Sequence, residues 1–286
     1  MLKYRLVFGT LMTAFFAALI IFDGWMDGTL TASAADDKQV QGTIFCILLA
    51  LMVIPAQLEL SKLAKVKNLK IFSPITIIAS ILFVTTWYWP QLIEISPVIY
   101  LSFVSAFSLL GLLLYQYFRC GTSEVLANCG VSYFSIIYLG LLGSFALGIR
   151  IDFGPWALLM YIFVIKSADI GAYSIGSIFG RHKFSPVISP GKTWEGMAGA
   201  VAAAIIVAIL FAVICDIMAW WLAVIFGFCF AFIGQMGDLA ESMIKRDAKL
   251  KDSASMVPGF GGLLDILDSL LPAAPLAYLF FMLNSL

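Results

Sequence analysis

Nine apolar runs, each close to the length needed to cross a bilayer, dominate this chain. They fall near residues 5–23, 40–58, 71–90, 98–118, 130–148, 153–173, 196–215, 217–235 and 263–284. A hydrocarbon core of about 30 Å takes about 20 apolar residues as a helix, and only a helix satisfies every backbone polar group along such a run. The runs are too long for barrel strands. With 62% hydrophobic and 12% charged residues, the chain is far more apolar than a soluble domain. The sequence therefore predicts an all-α integral membrane protein of about nine transmembrane helices. Residues 1–150 read as N-terminal transmembrane helices and residues 151–286 as a C-terminal transmembrane region that carries the chemistry.

Charge sets the orientation. Lys3 and Arg5 precede the first run, and Lys62, Lys65, Lys67 and Lys70 follow the second. Arg181, His182, Lys183 and Lys192 follow the sixth, and Lys245, Arg246, Lys249 and Lys251 follow the eighth. The intervening loops lack this basic excess. The positive-inside rule then puts the N-terminus and these loops in the cytoplasm and the C-terminus outside. Lys3 and Arg5 with Ala32-Ser33-Ala34 also fit a signal peptide, but the run between them exceeds a typical signal core, so a retained first helix is expected. Lysine plus arginine equal aspartate plus glutamate at 17 each, which argues against a nucleic-acid partner. The five scattered cysteines read as packing residues, and the single histidine, His182, excludes a multi-histidine metal site.

The stretch 234–269 holds Asp238, Glu241, Asp265 and Asp268 beside the four basic residues after the eighth run. Carboxylates at a bilayer edge are costly and mark functional sites by default. Each acid pair has a spacing of three, which on a helix places both members on one face. Pro258, Gly259, Gly261 and Gly262 can fold the chain back between the pairs. Hard oxygen ligands suit Mg²⁺, and neighbouring cations suit phosphate oxygens, so the pattern points to metal-assisted phosphoryl chemistry. A solvated loop of mutually paired charges accounts for each residue singly. It does not account for Asp265 and Asp268 inside an apolar run.

Two upstream segments extend the pattern. Lys166 and Asp169 lie three apart within the sixth run, where they read either as a buried ion pair between helices or as site residues. Ser189-Pro190-Gly191-Lys192-Thr193-Trp194-Glu195-Gly196 offers hydroxyl and amide donors before a helix, an arrangement that suits phosphate, although the Walker spacing is absent.

The stretch resembles the signature of the phosphatidate cytidylyltransferase (CDP-diacylglycerol synthase) family. That signature runs Ser-x-x-Lys-Arg, four residues, Lys-Asp, then Pro-x-His-Gly-Gly-x-x-Asp-Arg-x-Asp. Ser242, Lys245, Arg246, Lys251, Asp252, Pro258, Gly261, Gly262, Asp265 and Asp268 fall in register. Phe260 replaces the usual His and Ile266 the usual Arg. The upstream elements Asp-x-x-Ala-Tyr and Ser-Pro-Lys-Lys-Thr-Trp-Glu-Gly are matched at Asp169, Ala172, Tyr173 and 189–196, with Gly191 in place of a lysine. The resemblance covers roughly 165–275.

It implies transfer of a cytidylyl group from CTP to phosphatidate at the cytoplasmic side of the inner membrane. Mg²⁺ is expected at Asp238, Asp265, Asp268 and Glu241, with K⁺ as a second cation. Lys245, Arg246, Lys251, Asp252 and Asp169 are expected in the chemistry, and Ser189, Lys192, Thr193, Gly261 and Gly262 against the substrates. A homodimer is also implied. A cation or proton transporter, and a family member or other membrane transferase acting on a different lipid phosphate, are the rival readings. Against a transporter, the charges gather toward one side and do not line a path through the bilayer.

Overall fold

The computed structural model describes residues 2–30, 37–254 and 261–284, with side chains from Gly9 onward. Ala32-Ser33-Ala34, Pro258, Gly259 and Phe260 lie outside the described residues, as do the side chains of Lys3 and Arg5. The chain divides into two compact units. One comprises Met1–Asp152 with Asp252–Ile266, and the other Phe153–Lys251 with Leu267–Leu286.

The first unit contains α1 (Leu2–Asp27), α2 (Thr43–Val66), α3 (Ser73–Val84), α4 (Pro90–Ile93), α5 (Pro97–Cys120), α6 (Val125–Ile136), a π-helical turn at Ile137–Leu141 and α7 (Leu142–Asp152). Phe72, Ala79, Phe83, Val104, Leu112, Cys129 and Ile136 form one of its buried clusters. A charged knot ties three of the helices. The fully buried Arg150 of α7 lies 2.8 Å from Asp23 through Nε and 2.7 Å from Asp27 through Nη2. The same aspartates accept the N–H groups of Gly42, Ile44 and Phe45 at the start of α2. These are the amides that a helix start leaves without an internal partner.

The third apolar run departs from a regular crossing. Only the twelve residues of α3 are continuous α-helix. Pro90 has no N–H, and its ring excludes a normal turn against the carbonyl four residues back. The hydroxyls of Thr85 and Thr86 donate to the carbonyls of Ile81, Leu82 and Phe83. The backbone continues through tighter turns, with Thr86 N–H on Phe83 O, Tyr88 N–H on Thr85 O and Gln91 N–H on Tyr88 O. Among the described residues, eight helices are long and apolar enough to cross a membrane, and α3 is a shorter apolar helix beside them.

The second unit contains α8 (Gly154–Phe179), a hairpin of β1 (Lys183–Ser185) and β2 (Ser189–Thr193), then α9 (Trp194–Cys215) and α10 (Trp220–Asp247). The short α11 (Leu264–Leu267) bridges the unit boundary, and α12 (Leu270–Asn284) completes the second unit. The hairpin is antiparallel, pairing Lys183 with Thr193 and Ser185 with Ser189. Helices α8 and α9 touch backbone to backbone: a Cβ on Gly171 would lie 2.5 Å from the Gly199 carbonyl oxygen. Along α9, Ala200, Ala204, Ala208 and Ala212 are all buried at four-residue spacing. Small residues in such a row are how membrane helices approach closely. Helix α10 outlasts its apolar run, which ends near 235, and carries Asp238, Glu241 and Lys245 on its final turns.

Candidate active site

Helix period and one glycine bring the acids of the second unit together. Asp238 and Glu241 share a face of α10, as their spacing predicts. Gly237 lets the start of α12 lie against that helix, because a Cβ there would sit 2.9 Å from the Asp268 carbonyl oxygen. Carboxylate oxygens of Asp238, Glu241 and Asp268 lie within 4.8 Å of one another. Glu241 is fully buried and Asp268 nearly so.

Three lysines answer these charges. Lys245, one turn beyond Glu241, pairs with it. Lys192, from β2, places Nζ 2.7 Å from Asp238 Oδ2 and donates to the Gln235 carbonyl at 2.9 Å. Lys166, from α8, lies 3.3 Å from Asp169 and 3.9 Å from Asp268. Asp169 also accepts from Gln235 Nε2 at 2.9 Å and from Ser269 Oγ at 3.1 Å. Sequence reasoning did not single out Gln235 and Ser269, because neutral polar residues within apolar runs carry little signal alone.

The other residues named from sequence have varied settings. Thr193 is the N-cap of α9, its hydroxyl accepting the Gly196 N–H at 3.1 Å. Ser189 opens β2 and is half-buried. Arg246 donates to the carbonyls of Ile188 and Leu250, bracing the hairpin against the end of α10. Lys251 and Asp252 are exposed.

Asp265, Gly261 and Gly262 belong to the first unit. Asp265 Oδ2 accepts the Ser253 N–H, the Ser253 hydroxyl and the Gly262 N–H at 3.0, 2.8 and 2.7 Å. Glu59 of α2, which sequence reasoning passed over, accepts the N–H groups of Leu263 and Leu264, both at 2.9 Å, and the Ser253 hydroxyl at 3.0 Å. A Cβ at 262 would lie 2.1 Å from Ser253 Oγ and 2.4 Å from Glu59 Oε2, so a larger residue there would displace both side chains. Gly261 adopts φ +94°, a conformation L side chains rarely take. The sequence signal for Glu59 was an acid between Leu58 and Leu60, at the end of an apolar run.

The expected sharing of one helix face by Asp265 and Asp268 does not hold. Helix α11 has four residues, and Asp268 and Ser269 form a turn before α12. Pro272 explains the break, since it cannot donate to the carbonyl of Asp268 and its ring crowds that position.

The donor set fits a hard divalent cation. It consists of carboxylate oxygens on rigid helix ends, without the thiolate or imidazole ligands a softer metal would select. The three lysines beside it suit phosphate oxygens.

A sequence model of the cytidylyltransferase family matches residues 37–284. A phosphatidate cytidylyltransferase of Staphylococcus haemolyticus is 31% identical over 234 residues, covering 82% of this chain and 86% of that protein. One from Haemophilus influenzae is 40% identical over 131 residues, covering 43% of this chain and 46% of that protein. One from Mycobacterium bovis is 41% identical over 124 residues, or 43% of this chain, and the match spans 40% of the mycobacterial protein's length. The family match covers most of the chain, including every element of the carboxylate–lysine site, and the chain belongs to the cytidylyltransferase family.

Proposed function

We propose that this protein is a membrane phosphatidate cytidylyltransferase, converting CTP and phosphatidate to CDP-diacylglycerol and pyrophosphate. The observation that carries the reading is the cluster of Asp238, Glu241 and Asp268 with Lys192 against it. A phosphatidate oxygen attacks the α-phosphorus of CTP, the bond from that phosphorus to the bridging oxygen breaks, and pyrophosphate leaves with the electron pair. The nucleophile is already ionised at neutral pH, so the chemistry needs charge neutralisation and alignment more than a strong base.

Asp238, Glu241 and Asp268 would hold Mg²⁺, which when bound supplies Lewis-acid stabilisation of the phosphoryl oxygens. Lys192, Lys245 and Arg246 bind and orient phosphate groups, and the exposed Lys251 attracts the polyanionic nucleotide to the site. Asp169 orients Lys166 and Ser269. Asp265 and Glu59 hold Ser253 and the 262–264 backbone in place, a role their amide partners support.

In this reading the chain crosses the inner membrane nine times, with α3 and the turns through α4 acting as one crossing. The N-terminus and the site face the cytoplasm, where the basic loops lie, and the C-terminus faces outward. The acyl chains of the substrate remain in the bilayer while its phosphate meets the site at headgroup depth. The test uses full-length protein in detergent with phosphatidate, base-labelled CTP and Mg²⁺. Label should enter the lipid phase, and EDTA should stop it. Absence of labelling in folded protein would overturn the reading.

A further inference from the structure

Lys166 is a charge near the midpoint of a membrane-length helix, α8, where an ammonium is costly unless it is used. Its Nζ lies 2.8 Å from Ser269 Oγ, 3.3 Å from Asp169 Oδ2 and 3.9 Å from Asp268 Oδ1. Neutral donors already serve these carboxylates. Gln235 and Ser269 donate to Asp169, and the Ser269 N–H donates to Asp268. Hydrogen bonding alone therefore does not require the lysine; what it adds is charge.

The cluster contains four carboxylates, Asp169, Asp238, Glu241 and Asp268, and three lysines. Lys192 pairs with Asp238 and Lys245 with Glu241. Among the ion pairs of the described residues, Asp169 and Asp268 share Lys166. Ile266, where the family signature has an arginine, adds no charge to this stretch. An ammonium among a hydroxyl and two carboxylate oxygens occupies the kind of position a monovalent metal ion would take.

We propose that the Lys166 ammonium is the resident monovalent cation of the carboxylate site, shared between Asp169 and Asp268, so that no potassium ion is needed there. Two consequences follow. Removing the charge makes the site more negative, so divalent cations bind more tightly. Removing it also withdraws a cation from the reacting phosphates, so transfer slows. A lysine that merely packed α8 against the start of α12 would not tighten metal binding when lost.

The catalytic arm of the test rests on the cytidylyltransferase reading; the binding arm does not. Full-length wild type, Lys166→Met and Lys166→Arg are purified in detergent and titrated with Mg²⁺, following the metal-induced rise in Tm in sodium and in potassium buffer. Lys166→Met should bind Mg²⁺ about tenfold more tightly in sodium buffer, and lose that gain in potassium as the ion fills the vacated position. Lipid labelling from CTP should fall about tenfold or more in the same variant and recover in part with potassium. Lys166→Arg and wild type should respond alike to both salts. Should the methionine variant fail to fold, Lys166→Gln removes the charge while keeping a donor for Ser269. Unchanged or weaker Mg²⁺ binding in the neutral variant, or strong potassium dependence in wild type, would overturn the proposal. A wild type that labels no lipid would defeat the reaction reading and leave the Mg²⁺ titration to decide on Lys166.

Discussion

The Lys192 ammonium lies 2.7 Å from the Asp238 carboxylate, fastening the hairpin between α8 and α9 to the last turns of α10. Two segments from separate parts of the sequence meet in this pair, one carrying a phosphate-type cation and the other a metal-type acid. Asp238→Asn keeps the size of the side chain and removes its charge. Cytidylyl transfer should fall by about a hundredfold or more, as when a transition-state contact is lost, while the protein stays inserted and folded. Lipid labelling together with a melting curve checks this.

Lys192→Met should act differently. The lysine reaches phosphate groups in the ground state as well as during reaction, so KM for CTP should rise along with the fall in kcat. Its contact with Asp238 also opposes metal binding. Mg²⁺ should therefore bind at least as tightly in the variant, which the same metal-induced Tm shift reads.

Glu59 answers three donors with one carboxylate. Glu59→Ala leaves two backbone amides to find other partners, at about 1–3 kcal/mol for each that stays buried and unsatisfied, while the Ser253 hydroxyl keeps Asp265. Tm should drop by several degrees. Glu59→Gln should recover part of the loss, because its amide group presents one acceptor and one misplaced donor. Equal Tm for all three proteins would remove Glu59 from the account of how Ser253 and the 262–264 backbone are held.

The Arg150 knot should be the more fragile feature. Arg150→Met leaves Asp23 and Asp27 without their shared cation in a buried position, and breaking such a pair costs about 3–5 kcal/mol. Loss of Tm, or of yield on extraction, is expected. A variant as stable as wild type would mean that the amides of α2 suffice to hold both acids.

Much of the site was legible because helices repeat. Asp238 and Glu241 obey the three-residue spacing on a helix that forms, and Lys166 and Asp169 stood out as charges within an apolar run. Asp265 and Asp268 have the same spacing but a different fate, because Pro272 stops α11 from running into α12. The β1–β2 hairpin gave no alternation to read; five residues containing Pro190 and Gly191 look like a loop until a partner strand is present. The third apolar run had the length of a span, yet Pro90 and two threonine hydroxyls divert its hydrogen bonds into tighter turns. Glu59 was hidden by its neighbours, since the lysines that follow the second apolar run made it look like part of a solvated loop. Its partners lie some two hundred residues along the chain, and no local pattern in a sequence points that far.

The most direct measurement follows the phosphates of CTP. Two preparations, labelled at the α- or the γ-phosphate, are given to the purified protein with phosphatidate and Mg²⁺, and the lipid phase is counted. The α-label should enter the lipid and the γ-label should stay in water as pyrophosphate, because the bond that breaks lies beyond the α-phosphorus. Transfer of the γ-label, or of neither label by folded protein, would contradict cytidylyl transfer at the Asp238–Glu241–Asp268 site.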